Sequence, residues 1–115
     1  MQTTYPISET IIECYQRDGA VLIKGLFRDW VKTLRSGVAE NMYRPGPYAS
    51  ENLHASDSGR FFDDYCNWTR IKSFENVLRK SDVAQVAAQL MRSKQVQIFH
   101  DHVLVKEPGA SKATP

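Results

Sequence analysis

The sequence predicts an α+β fold in which N-terminal helices pack on the first strands of a larger β core. Two observations carry that expectation. Helix-period apolar stripes recur through the first ninety or so residues, at Ile11-Ile12-Tyr15, Trp30-Leu34-Val38 and Val83-Val86-Ala87-Leu90. Strand patterns occur in only three places, residues 20–23, 60–65 and 95–105. Three strands are too few to close a barrel or supply the second sheet of a sandwich, so the β part is expected to continue beyond Pro115.

Each element has a local reason. Ser8 can cap the first helix, and Ile7 before it can pack on Ile12, the arrangement of a hydrophobic staple. Asp18-Gly19 is a natural stop for that helix. Ala20 to Ile23 is short, apolar and partly β-branched, which predicts a strand ending at Lys24-Gly25. A second helix is expected from about Asp29, the candidate cap, to Asn41, with Trp30 on its core face. From Tyr43 to Gly59 the periodicity disappears. Arg44-Pro45-Gly46-Pro47 and the Ser/Asn/Asp-rich stretch after it predict a long connection, read first as a plain surface loop and second as a lid or binding loop. Residues 60–65 then predict a strand, Phe74, Val77 and Leu78 a helix face, and Asp82 the cap of a last helix. Pro108-Gly109 predicts a turn of type II preference.

Composition narrows the function classes. The 115 residues suffice for one modest domain, with 42% hydrophobic and 24% charged residues. Fifteen basic against thirteen acidic residues leave a formal charge of +2, which gives no reason to expect a nucleic-acid partner. The basic residues are unevenly placed: Arg70 to Lys94 holds six, against Glu75 and Asp82. That stretch reads first as the solvated side of helices and second as an anion-attracting rim. Cys14 and Cys66 form no metal or disulfide motif and are expected as two buried thiols. No apolar run is long enough to span a bilayer and the N-terminus lacks a signal pattern, so no membrane partner and a cytoplasmic location are the expectation.

The clearest strand signal is Gln95 to Val105. Alternation puts Val96, Ile98, His100, His102 and Leu104 on one face, which should begin as core and open into a polar cavity. Asp101 points the other way, as an ion-pair or turn-side carboxylate. Two imidazoles at i and i+2 stand roughly 7 Å apart, so a cupin-like metal site on His100 and His102 is one reading. Pocket-lining histidines and buried structural histidines are the others. The remaining histidine, His54, lies in the irregular loop.

Three segments carry a family resemblance: DGAVLIKGLF (18–27), GRFFDDYCNWTRI (59–71) and, most specifically, FHDHVLVKEPGASKATP (99–115). Together they resemble the N-terminal portion of a phytanoyl-CoA dioxygenase family protein, an Fe(II)- and 2-oxoglutarate-dependent oxygenase, over residues 8–115. The resemblance implies a double-stranded β-helix, or jelly roll, incomplete in residues 1–115. It implies Fe(II) and 2-oxoglutarate as cofactors of the whole enzyme and a small organic molecule as substrate. In that family two histidines and an aspartate hold iron, and the H-x-D motif follows closely after a segment like KEPGASKATP. Neither His100 nor His102 matches an iron ligand, and His100-Asp101 lacks the intervening residue of H-x-D. What carries over is His102 as a wall of the 2-oxoglutarate pocket, Lys106 just beyond it, and Arg60 or a near neighbour as a cosubstrate contact. Tyr65 and Trp68 are candidates for the substrate side. The alternative to an oxygenase is a small non-enzymatic α+β interaction module.

Overall fold

The computed structural model describes residues 7–114. It is α+β: four α-helices and a three-stranded antiparallel sheet of order β1-β2-β3. The helices are α1 (Glu9–Asp18), α2 (Val31–Tyr43), α3 (Lys72–Lys80) and α4 (Val83–Leu90), and the strands β1 (Ser50–Glu51), β2 (Phe61–Tyr65) and β3 (His102–Lys106).

The first helix starts as its sequence dictates. The Ser8 side chain accepts from the Ile11 N–H at 3.3 Å, and Gly19 ends the helix at φ 76°. Ile7 and Ile12 are buried together with Val86 of α4, the outcome a staple requires. Residues 20–23 depart from expectation. They form no strand; Ile23, with Leu26 and Phe27, packs on the Ile7–Ile12–Val86 cluster instead. Only Ile23 of the run joins that cluster while Leu22 is exposed, and among the described residues no strand lies beside it to satisfy a ladder. A single 3-10 turn, Arg28–Trp30, then precedes α2. Asp29 sits inside that turn and does not cap α2, and Trp30 is half-buried.

Helices α2 and α3 meet closely, with the Phe74 ring of α3 lying against Gly37 of α2; a methyl group at Gly37 would come within 2.5 Å of that ring. The loop expected over 43–59 contains β1, two residues long, pairing Ser50 with Asp63 and Glu51 with Phe62. The strand expected over 95–105 is paired only from His102 onward. The reason is its partner: β2 ends at Tyr65, and Cys66 turns away at φ 64°. Cys66 N–H donates to the Asp101 carbonyl at 3.1 Å, and the Asp101 carboxylate accepts the N–H groups of Asn67 and Trp68 at 3.0 Å each. Asp101 is thus a turn-side carboxylate, and upstream of it the chain has no ladder to join. Ile98 and Phe99 are consequently exposed. Cys14 is half-buried and Cys66 exposed, both free thiols, so the expectation of burial fails for each. Cys66 is exposed because it occupies the turn.

Candidate functional site

The sheet has two unlike faces, and pairing partners share a face. Glu51, Phe62, Asp64, Val103 and Val105 are on the face that α2 and α3 cover. Ser50, Phe61, Asp63, Tyr65, His102, Leu104 and Lys106 are on the other. Beyond Phe61, which is fully buried, this second face is largely open: Leu104 is 46% exposed, and the His102 and Tyr65 side chains reach solvent.

The helix-side face is held by a buried polar network around Asp64. Its Oδ2 accepts the Gly46 N–H at 2.7 Å and Asn41 Nδ2 at 2.9 Å; its Oδ1 accepts the Tyr65 N–H at 2.9 Å. Arg70 stands 3.8 Å away and donates to Asn67 Oδ1 at 2.6 Å and to the Arg44 carbonyl at 2.7 Å. Burial pushes the Asp64 carboxyl up more than any one contact lowers it. The hydrogen bonds from Gly46, Asn41, Asn67 and Tyr65 together outweigh burial and hold it below the usual carboxylate range. Gly46 has no room for a side chain, since a Cβ there would lie 2.3 Å from Asn67 Oδ1. The network ties the Arg44–Pro47 loop to the sheet.

On the open face, Tyr48 stacks on Tyr65 with ring centroids 5.0 Å apart. Tyr65 in turn meets His100 and His102 edge-on at 5.9 and 5.6 Å. Asp63 lies beside them, 3.8 Å from His102 Nε2 and accepting from Asn52 Nδ2 at 2.7 Å. Lys106 lies four residues from His102, roughly 13 Å along the strand, with its ammonium 5.1 Å from the centroid of the Phe61 ring.

The structure therefore brings His102 and Lys106 to one face and leaves Arg60 on the other. Arg60 donates through Nε to Glu51 Oε1 at 2.9 Å and through Nη2 to the Met42 carbonyl at 3.4 Å, and its guanidinium lies over Phe62. Tyr65 is on the open face, whereas Trp68 turns to the helix side, under Arg79. The expected passage of one face from buried core into a polar cavity is not found: Ile98, His100, His102 and Leu104 are all exposed, and only His102 and Leu104 belong to the sheet.

The segment after β3 is anchored. Glu107 Oε1 accepts the Arg60 N–H at 2.8 Å. The turn expected at Pro108-Gly109 is present, closed by Ala110 N–H to the Glu107 carbonyl at 3.1 Å with Gly109 at φ 93°. Ser111 donates to Asp57 through its hydroxyl at 2.6 Å and its N–H at 3.1 Å. These bonds, the hydroxyl's first, with a smaller one from the His54 N–H, hold Asp57 below the usual carboxylate range. His54 serves that loop and does not approach His100 or His102 through any bond among the described residues. Tyr48, Asn52, Asp63 and Asp64 were not singled out from sequence. Period-two alternation does place Asp63 and Asp64 on opposite faces, but says nothing of which face is covered.

No family model, curated protein or solved structure matches this chain. Among the described residues no helix is long and apolar enough to cross a membrane. No group of three or more His, Cys, Asp or Glu among them could hold a metal ion.

Proposed function

We propose that this chain forms the helix-backed wall of a jelly-roll oxygenase of the phytanoyl-CoA dioxygenase type, dependent on Fe(II) and 2-oxoglutarate and acting on a small organic substrate. The sidedness of the sheet is the observation that carries this reading. An antiparallel sheet covered by helices on one face, with aromatic, histidine and lysine side chains open on the other, is what one wall of such a barrel requires. The free outer edge of β3 offers backbone groups for a further strand.

Iron does not fit the described residues, which offer no three-ligand group. A metal site built directly on His100 and His102 lacks its third ligand for the same reason. Bound iron with 2-oxoglutarate and O₂ would supply oxidation of an unactivated C–H bond. The part of residues 7–114 is to bind and orient. His102 and Lys106 are donors toward a carboxylate, and a charge-assisted hydrogen bond to either is among the stronger kinds. Their separation along β3 gives them different anionic groups, or opposite ends of one. Tyr48 and Tyr65 supply a flat apolar surface beside them. Arg60, engaged by Glu51 across the sheet, braces β1 against β2.

The test is iron-dependent conversion of 2-oxoglutarate to succinate by the protein expressed from its complete coding sequence. Turnover that falls on Lys106→Ala or His102→Ala through a raised KM for 2-oxoglutarate supports the reading. Iron-loaded protein that forms no succinate with any candidate substrate, or with 2-oxoglutarate alone, overturns it.

A further inference from the structure

On the helix side, away from the open face, a cavity of about 360 Å³ lies between α3, α4 and the unpaired stretch before β3. Leu78, Val83, Ala87, Met91, Val96 and Ile98 form its walls. Its size is within the range of small-ligand sites. The cavity exists for two reasons already visible. Asp101 ends the ladder, so residues 96–98 stand off from the helices, and α4 presents the short side chains of Val83, Ala84 and Ala87 toward them.

The charged side chain in the lining of this cavity is cationic, and Gln97 is the other polar residue there. Arg79 lies at the rim with its guanidinium 5.2 Å from the centroid of the Trp68 ring, which also lines the cavity. Glu75 takes the Arg79 Nε at 3.1 Å and is shared with Lys72 at 3.1 Å, so the two terminal guanidinium nitrogens have no partner among the described residues. The basic residues nearby divide by their partners. Arg70 is committed to Asn67 and Arg44, Arg92 to Glu9 and Lys72 to Glu75. Arg79 alone lines the apolar space.

We infer that this cavity is a binding site for an amphipathic organic acid, its apolar body between α4 and residues 96–98 and its carboxylate on the terminal nitrogens of Arg79. Apolar walls alone would accept any small hydrophobe. The stacked, half-committed guanidinium selects an anion, since a planar guanidinium matches a carboxylate through two parallel hydrogen bonds. The site is independent of the oxygenase reading and shares no residue with the open face.

Octanoate is the probe, titrated by calorimetry against the protein expressed from its complete coding sequence. Saturable binding heat is expected with octanoate. The neutral 1-octanol is expected to bind at least tenfold more weakly, and Arg79→Gln should remove that difference. Ala84→Leu, at an exposed helix position where the fold tolerates a larger side chain, should abolish binding with the circular dichroism spectrum unchanged. Linear, non-saturating response, equal affinity for octanoate and octanol, or octanoate binding unchanged in Arg79→Gln or Ala84→Leu overturns the inference.

Discussion

Asp63 and Asp64 are neighbours in β2, and they meet opposite fates. Asp64 is fully buried under α2, bound by Gly46, Asn41 and Tyr65 and flanked by Arg70. Asp63 is on the open face, held by one hydrogen bond from Asn52 and standing off from His102. The same carboxylate on the same strand is the centre of a buried network on one side and has a single hydrogen-bond partner on the other. The difference teaches that the sheet's two faces are unlike in kind: one holds the fold together, the other stays largely open.

The largest test of that division is removal of each carboxylate. Asp64→Ala strands buried donors and the Arg70 charge, and should cost roughly 3–5 kcal/mol in chemical denaturation. Asp63→Ala on the open face should cost under about 1 kcal/mol; comparable losses at both sites would break the comparison. Next in size is Gly46→Ala, which forces a Cβ against Asn67 and should cost about 1–3 kcal/mol by overpacking. An acid titration of stability follows. The folded carboxyl of Asp64 titrates below its unfolded value, so its contribution is present above the unfolded value near pH 4 and is lost as pH falls through the folded one. Asp64→Asn should make that acid limb shallower. Smallest is Tyr65→Leu, which removes the stack with Tyr48 and should cost about 0.5–1 kcal/mol, the scale of a stacked aromatic pair.

Much of this architecture was legible in the sequence wherever a short-range cause was sufficient. Ser8, Ile7 and Gly19 define α1, and Pro108-Gly109 defines its turn, because caps, staples and turns are settled by residues a few positions apart. The limits of pairing were not legible. Residues 20–23 and 95–101 look like strands by composition, and whether an extended run joins a ladder depends on a partner distant in sequence. The first found none, and the second lost its partner where Cys66 turns.

The candidate site divides the same way. Parity alone places His102 on a face of the expected strand, but Lys106 stands just beyond that strand, and its place on the same face follows from its pairing with Phe61. Arg60 could not be assigned relative to them, because its face follows from the pairing of Phe61 with Lys106 across more than forty residues. Tyr48 was hidden by the irregular loop around it; contacts between chain-distant groups, Gly46 to Asp64 and Arg70 to the Arg44 carbonyl, fix the loop beside the sheet.

Asp101 has a consequence beyond ending a ladder. Its carboxylate grips the backbone of Asn67 and Trp68 while its carbonyl grips Cys66, so three bonds fasten one residue of the incoming strand to the turn that leaves β2. Such a grip works as an index pin. A strand sliding by a single residue would exchange its two faces, turning His102 and Lys106 toward the helices and Val103 and Val105 toward the open side. The pin allows one setting, and the chemistry of the open face is chosen there, at a residue that is itself no part of it.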